Sequence, residues 1–254
     1  MNPILIRNLT IGEGRPKICV PIVGQTAEDI LREARNFVSI PADLAEWRAD
    51  WYEDVSAPEK VLATARALRE ALGEIPLLFT FRTAAEGGEK EIGSDYYELL
   101  NRSIAESGYV DLIDVEAFGK EATAARIIAA AHGCGVKVVG SNHEFQRTPS
   151  KAEIVDRLCR IRQLGADIPK IAVMPQSEQD VLTLLSATLE MSRHHTDCPI
   201  ITMAMAKTGL ISRLAGESFG SAVTFGSASK ASAPGQIGVG ELKQVLDIIH
   251  DSLQ

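Results

Sequence analysis

Eight short apolar runs with strand-like composition recur along this 254-residue chain, at intervals of roughly 20 to 35 residues. They occupy residues 17–23, 43–49, 75–82, 110–117, 136–143, 169–175, 199–205 and 222–228. Amphipathic segments with helical periodicity separate them, for example residues 58–72 and 240–253. Eight strands, each followed by a helix or a helical turn, predict a closed parallel (β/α)8 barrel, the TIM-barrel class of α/β fold.

An open doubly wound sheet also alternates strands and helices, so the number of strands is the main argument for the barrel. The glycine fingerprint of dinucleotide-binding sheets is missing, because the loop after the first run, "PIVGQTAED", has one glycine. The segment before Lys17 has no helical partner and carries "GEG", which predicts a short N-terminal β-hairpin closing the bottom of the barrel. No linker or low-complexity stretch divides the chain, so we expect a single domain spanning residues 1–254.

Helix starts can be predicted from capping residues. Thr26, Thr148 and Ser177 each precede an amphipathic segment and are predicted N-caps, with Pro149 at the first helical position after Thr148. These assignments place the loops after the strands, where barrel enzymes carry their chemistry.

Composition excludes several classes of function. The formal net charge of −8 argues against sequence-independent nucleic-acid binding, which needs a basic surface. No apolar run approaches the length that spans a bilayer, and the N-terminus lacks a signal-like pattern, so no membrane partner is expected. The four cysteines form no C-x-x-C pair, which favours a reducing, cytoplasmic setting. No H-x-x-x-H or H-x-H spacing indicates a metal site.

Charged and polar side chains follow the predicted strands at the ends where barrel active sites form. Ten of them are candidate functional residues: Glu46, Arg48, Arg82, Glu86, Asp114, Glu116, Asn142, His143, Lys170 and Arg213. Glu46 and Arg48 share one face of their strand because side chains alternate. The stretch "GSASKASAPGQIGVG" after the last strand, rich in glycine and serine, resembles a mobile lid.

Lys170 lies within an apolar strand, which raises the question of why an ammonium group is placed there. Burial and neighbouring guanidinium groups would favour a neutral amine able to attack a carbonyl, with His143 on the adjacent strand moving protons. This pairing predicts Schiff-base catalysis. Alternatives remain open at this point: Lys170 could extend to water at the barrel bottom, and His143 could be a core histidine.

Arg48, Arg82 and Arg213 are predicted to converge on one end of the barrel. Three guanidinium groups suit a substrate that carries a carboxylate and several hydroxyls. Arg48 could instead only form an ion pair with Glu46, and structural ion pairing is the favoured reading of Asp114 and Glu116.

Six motifs occur in order and carry a resemblance to a known family: "EWRAD" (46–50), "FRTAAEGG" (81–88), "SNHEFQRTP" (141–149), "KIAVMPQ" (170–176), "KTGLISRLAGESFGS" (207–221) and "SAPGQI" (232–237). The chain resembles the type I 3-dehydroquinate dehydratases of the shikimate pathway over essentially its whole length, and especially their enterobacterial members. The resemblance implies a (β/α)8 barrel that works without a cofactor, as a homodimer, on the small molecule 3-dehydroquinate.

The resemblance also implies roles for individual residues. Lys170 would form an imine with the substrate ketone, His143 would transfer protons for syn elimination of water, and Glu86 would orient His143. Arg213 would bind the substrate carboxylate. The remaining substrate contacts would come from Glu46, Arg48, Arg82, Ser232 and Gln236.

One position departs from the family pattern, because Ala204 stands where many members carry serine. Two rival functions share the barrel. A class I aldolase would use the same lysine to make or break a carbon–carbon bond, although a phosphate site is then more usual. A non-catalytic binding barrel would have no need for Lys170, His143 and Glu86 together.

Overall fold

The computed structural model describes residues 2–119, 121–228 and 234–254. Its strands are β1 (Ile4–Ile6), β2 (Leu9–Ile11), β3 (Lys17–Ile22), β4 (Leu44–Arg48), β5 (Leu77–Thr80), β6 (Leu112–Glu116), β7 (Lys137–Glu144), β8 (Ile168–Val173), β9 (Ile201–Ala204), β10 (Val223–Ser227) and β11 (Ile237–Gly238). Its α-helices are α1 (Ala27–Phe37), α2 (Pro58–Leu72), α3 (Ser94–Glu106), α4 (Glu121–Gly133), α5 (Lys151–Gln163), α6 (Glu178–Glu190), α7 (Leu210–Leu214), α8 (Gly216–Phe219) and α9 (Val239–Leu253).

The eight predicted strands are β3 to β10, and they pair in parallel in the order β10-β3-β4-β5-β6-β7-β8-β9. A parallel bridge between Ile200 and Ser221 joins the two outer strands, and the amide of Ala222 donates to the carbonyl of Ile200 at 2.8 Å. The sheet therefore closes on itself, which confirms the predicted (β/α)8 barrel. Strand β11 adds a short parallel pair outside β10.

The lower half of the barrel interior is apolar, and the upper half holds charged as well as apolar side chains. One buried apolar residue near the start of each strand fills the lower half: Cys19, Leu44, Leu78, Leu112, Val139, Ile168, Ile201 and Val223. Because side chains alternate, residues two and four positions further along each strand also point inward. Many of those positions hold charged side chains, which therefore lie directly above the apolar lower half of the barrel.

The N-terminal hairpin closes the bottom of the barrel, as predicted. Strands β1 and β2 pair antiparallel, and their buried residues Ile6 and Ile11 pack into the same cluster as the lower barrel residues. The chain reverses at Arg7, which has a φ of 53°, and not at the "GEG" stretch. Arg7 is held there by ion pairs to Asp111 and Glu74, so side-chain contacts allow a left-handed residue that is not glycine.

Two of the three predicted helix caps are confirmed. The hydroxyl of Thr26 accepts from the Asp29 amide, and Ser177 forms a capping box with Asp180. The prediction for Thr148 is wrong, because α5 begins at Lys151 and its N-cap is Ser150. A second hydroxyl residue after Pro149 is better placed to accept from the amide of Glu153.

Candidate active site

A cleft of about 490 Å³, open solvent at its mouth included, lies at the carboxyl ends of the barrel strands. It is lined by Glu46, Arg48, Arg82, Glu86, Gly87, His143, Phe145, Lys170, Ala172, Met203, Met205, Arg213, Phe225 and Gln236. Eight of the nine candidates named from the family resemblance are in this set. The ninth, Ser232, lies outside the residues that the structure describes.

Lys170 is buried in the cleft floor with only 3% of its surface exposed, so it does not extend to water at the barrel bottom. Its Nζ donates to Asp114 Oδ2 at 3.0 Å and lies 4.7 Å from the centroid of the Phe225 ring. Strands β7 and β8 pair, which places Lys170 beside the strand that carries His143. The Asp114 carboxylate favours the charged, ammonium form of a neighbouring amine. The cleft arginines, which the sequence prediction considered, favour the neutral form instead.

Asp114 is fully buried and joins Lys170 to a wider ionic network. It accepts from Arg82 at 2.8 Å and from the Ser141 hydroxyl at 2.6 Å. Burial alone would raise the pKa of Asp114, but Arg82 and Lys170 outweigh it and hold the pKa at about 2. Asp114 is therefore an anion under working conditions and acts as a fixed negative charge beneath the lysine.

Arg82 is the most heavily paired of the three cleft arginines. Besides Asp114, it donates to Glu116 at 3.0 Å and to Ser141 at 2.9 Å, and Glu86 lies 3.7 Å away. Burial opposes the charged form, but the Asp114 and Glu116 carboxylates raise the pKa of Arg82 well above its ordinary value. Asp114 and Glu116 thus form structural ion pairs, as the sequence suggested.

His143 is held by Glu86. The Glu86 Oε2 atom lies 3.0 Å from His143 Nδ1 and also accepts from the backbone amide of His143 at 2.9 Å. Burial lowers the pKa of His143 well below its ordinary value, and Arg82, Lys170 and Arg48 lower it further. When Glu86 is ionised, a neutral His143 ring donates its Nδ1–H to that carboxylate and keeps a lone pair on Nε2, which is the tautomer that a general base needs.

The turn that carries Glu86 is shaped by a glycine. Residues Ala84–Glu86 form a single 3-10 turn after β5, and Gly87 ends it with a φ of 84°. A Cβ at Gly87 would lie 2.2 Å from the Phe145 ring, so the close approach needs a residue without a side chain. Burial and the nearby Glu116 carboxylate raise the pKa of Glu86 to about 8, while Arg82 and Asn142 act in the opposite direction.

Arg213 differs from the other two cleft arginines because no carboxylate of the described residues forms an ion pair with it. It is only 1% exposed, its Nη2 donates to the Pro234 carbonyl at 3.1 Å, and its Nε has no hydrogen-bond partner in the described chain. Burial lowers the pKa of Arg213 to about 10. A buried guanidinium without a counter-ion is a site that an anionic ligand would complete.

Arg48 and Glu46 also line the cleft, and each has a partner among the described residues. Arg48 makes two hydrogen bonds of 2.8 Å with Asp50, and Glu46 accepts from the Thr80 hydroxyl at 2.9 Å. Arg48 therefore forms a bidentate ion pair with Asp50, and not the simple pair with Glu46 that the alternative interpretation of the sequence considered. Glu46 and Arg48 do share one strand face, as predicted, since both reach the cleft.

The chain from Pro234 onward reaches the cleft at its rim. Gln236 lines the cleft, and Gly235 lies against the backbone of Ala206, where a Cβ would come within 2.3 Å of the Ala206 carbonyl oxygen. Within the described ranges, no group of three or more histidine, cysteine or carboxylate side chains could hold a metal ion. No described helix is both long and apolar enough to cross a membrane.

Comparison with known proteins decides the family. The model of the type I 3-dehydroquinase family matches residues 18–252. The chain belongs to the type I 3-dehydroquinase family. It is 56% identical to the 3-dehydroquinate dehydratase of Listeria welshimeri, over 98% of this chain and 99% of the relative, and 53% identical to that of Bacillus licheniformis, over 98% of each.

Solved structures of type I 3-dehydroquinases superpose closely on this chain. The Clostridium difficile enzyme, with covalently modified comenic acid, matches with a TM-score of 0.96 and 53% identity over 99% of both chains. The Geobacillus kaustophilus 3-dehydroquinate dehydratase matches with a TM-score of 0.96 and 42% identity, over 100% of this chain and 98% of that one. These relatives, like those from Listeria and Bacillus, give no support to an enterobacterial subtype.

Several residues around the 3-dehydroquinase cleft were not singled out from the sequence. Met203, Met205 and Phe225 form an apolar wall, and only the alternation of their strands could have pointed to the cleft. Ala204, the departure from the family pattern, faces the other way. It is fully buried in the cluster between the barrel and helices α5 and α6, and therefore does not line the cleft.

Proposed function

We propose that this chain catalyses the dehydration of 3-dehydroquinate to 3-dehydroshikimate, a hydro-lyase step of the shikimate pathway, through an imine on Lys170. The names of its relatives give the reaction, and the cleft offers groups suited to it. The observation that carries the proposal is the arrangement of Lys170 and a neutral His143 in one cleft with Arg213, a buried guanidinium that has no carboxylate partner among the described residues.

The lysine would act as nucleophile and electron sink. The Lys170 ammonium first gives up a proton to solvent, and the free amine then adds to the substrate ketone. Uptake of one proton releases the ketone oxygen as water and leaves a protonated imine, which withdraws electrons from the neighbouring carbon. Asp114, 3.0 Å from Nζ, would keep a negative charge beside the nitrogen while it is cationic.

His143 would carry out both proton transfers. Its Nε2 removes the proton next to the iminium carbon, giving an enamine, and the resulting imidazolium then protonates the departing hydroxyl. Water leaves, the conjugated iminium remains, and hydrolysis returns Lys170 and releases the product. One histidine suffices because the proton and the hydroxyl leave from the same face. Glu86 would hold the ring and stabilise its cationic form through the 3.0 Å contact at Nδ1.

The remaining residues would bind and orient the substrate. Arg213 would pair with the substrate carboxylate, because this is the cleft guanidinium without an ionic partner in the described chain. The ring hydroxyls would be held by Glu46, Arg48 and Arg82, with Gln236 closing the rim. Fixing the ring lets Nε2 meet one particular hydrogen, which is a large part of the rate enhancement.

We further propose that the protein acts as a single-domain homodimer in the cytoplasm, without a cofactor, in aromatic biosynthesis. The homodimer is inferred from the family resemblance, and the cytoplasmic setting from unpaired, widely spaced cysteines. Light scattering coupled to size exclusion measures the first directly. A monomer mass of 27.4 kDa for the active species would refute the dimer.

The proposed reaction is tested by its product. The wild-type protein, mixed with 3-dehydroquinate, should give the rising ultraviolet absorbance of a conjugated enone, and Lys170→Met should give none above background. Unchanged turnover in Lys170→Met would contradict an imine mechanism. Consumption of substrate with carbon–carbon cleavage and no enone would favour the aldolase alternative, and binding without turnover would favour a binding barrel.

A further inference from the structure

Asn142 connects the Glu86–His143 pair to a residue outside the cleft. Its Nδ2 donates to Glu86 Oε1 at 3.3 Å, and its Oδ1 accepts from Arg157 Nη1 at 2.9 Å. Neither Asn142 nor Arg157 lines the cleft. Asn142 follows Ser141 on β7 and so faces away from the barrel interior, towards helix α5, which carries Arg157.

The direction of these hydrogen bonds is fixed by Arg157. A guanidinium donates and never accepts, so the carbonyl end of the Asn142 amide must face it. The NH2 end of the amide then faces Glu86. An amide free to rotate could equally present its oxygen to Glu86, which would repel a carboxylate. Arg157 thereby selects the orientation in which Asn142 supports the ionised form of Glu86.

Arg157 is itself held in place. Its Nη2 donates to Glu153 at 2.6 Å, one helical turn earlier on α5, and Glu144 at the end of β7 lies 3.6 Å from Nη1. The side chain is 19% exposed, which limits its alternative positions. Two carboxylates therefore keep the guanidinium pointed at the amide.

Glu86 needs such support because its surroundings are mixed in charge. Burial, together with Glu116 and Asp114 from β6, raises the pKa of Glu86, whereas Arg82 after β5 and the hydrogen bond from Asn142 lower it. The Oε2 atom of Glu86 contacts His143 twice, since it accepts from the backbone amide and also lies beside the ring Nδ1. The Asn142 amide is the described side chain that donates to Oε1.

We propose that Arg157 is a positioning residue for the dehydration, acting through the Asn142 amide to favour the ionised form of Glu86 and to align it on His143. This inference rests on the proposed function, since it concerns the same proton transfers. It assigns a role in the reaction to a helix residue that touches neither substrate nor reacting atoms.

The test is the pH dependence of kcat in matched variants. Arg157→Met should move the acidic limb of the kcat profile to higher pH by about half to one unit, the size expected from losing one hydrogen bond to a carboxylate. Arg157→Lys keeps a group that only donates and should recover most of that change. Arg160→Met removes a half-exposed arginine from the same helix, where it pairs with Glu121, and should leave the limb unmoved.

A loss of kcat that is uniform across pH, or an equal change in Arg160→Met, would overturn the proposal, because a merely structural arginine would act in that way. If Arg157→Met does not fold, Asn142→Asp replaces it as the test. The new carboxylate beside Glu86 should raise the acidic limb by more than one unit, and an unmoved limb would overturn the proposal. Absence of enone formation by the wild-type protein would instead refute the proposed function.

Discussion

Replacing Arg213 by methionine should make the free protein more stable and the enzyme much less active. Arg213 is 1% exposed, contacts the Met203 sulfur at 3.8 Å, and has no carboxylate partner in the described chain. Arg213→Met keeps an unbranched apolar side chain in this space and removes the buried charge. Stability and activity should therefore change in opposite directions.

The stability gain follows from the lowered pKa of Arg213, about 10 against an ordinary 12.5. At about 1.4 kcal/mol per pKa unit, keeping this group charged destabilises the folded state by roughly 3 kcal/mol. Because the folded pKa lies below the unfolded one, this penalty is fully present at neutral pH and disappears only as the pH rises through both values. We expect Arg213→Met to raise the free energy of unfolding by about 1–3 kcal/mol, or Tm by roughly 3–8 °C.

The loss of activity follows from the substrate carboxylate. Hydrogen bonds between charged groups contribute about 1.5–3 kcal/mol, and leaving the carboxylate buried without a partner adds to the loss. Together these effects correspond to a fall of about 10²–10³-fold in kcat/KM. Arg213→Lys keeps the charge without the planar fork and should lie between the two.

Thermal unfolding by circular dichroism and steady-state enone formation measure the two effects on one preparation. Arg66→Met is the matched control, because Arg66 is exposed and pairs only with Glu70 in the described chain. It should change neither quantity appreciably. A Tm for Arg213→Met several degrees below that of the wild type would show that the guanidinium stabilises the fold. A kcat/KM within tenfold of the wild type would show that the carboxylate binds elsewhere.

Three further predictions concern single positions. His143→Ala should lower kcat by at least about 10³-fold yet still form the imine, since Lys170 is untouched; equal loss of borohydride trapping and turnover would refute the role of His143. Gly87→Ala should cost about 1–3 kcal/mol in urea unfolding and also reduce kcat, because a Cβ would lie 2.2 Å from the Phe145 ring; wild-type values for both would contradict the close approach. Ala204→Ser should leave kcat/KM within about twofold, because this position faces the helices, and a larger change in the enone assay would place it in the site.

The barrel could be predicted because its information is local. Each strand is a short apolar run bounded by capping and turn residues, and helix α2 coincides with residues 58–72 as the periodicity indicated. One error concerns a choice between neighbouring residues of the same type. Thr148 and Ser150 are both competent caps, and only the path of the chain after Pro149 decides for Ser150. The hairpin reversal at Arg7 depends on ion pairs to residues over sixty positions away.

The sequence predicted which residues line the cleft better than it predicted the contacts between them. Strand alternation and the family motifs brought Lys170, His143 and Glu86 to one cleft. The pair between Lys170 and Asp114 depends on the register of β6, β7 and β8, which a sequence pattern does not fix to a single residue. The absence of a carboxylate near Arg213 in the described chain is likewise a three-dimensional property, invisible in the spacing of charges.

The most direct test of the imine mechanism is to trap the intermediate. The protein is mixed with 3-dehydroquinate, reduced with borohydride, digested, and mapped by mass spectrometry. The mechanism predicts one reduced adduct, on the peptide that contains Lys170, with loss of activity in proportion to its formation. An adduct on another lysine, or no adduct while enone is still produced, would contradict the assignment of Lys170 as the nucleophile.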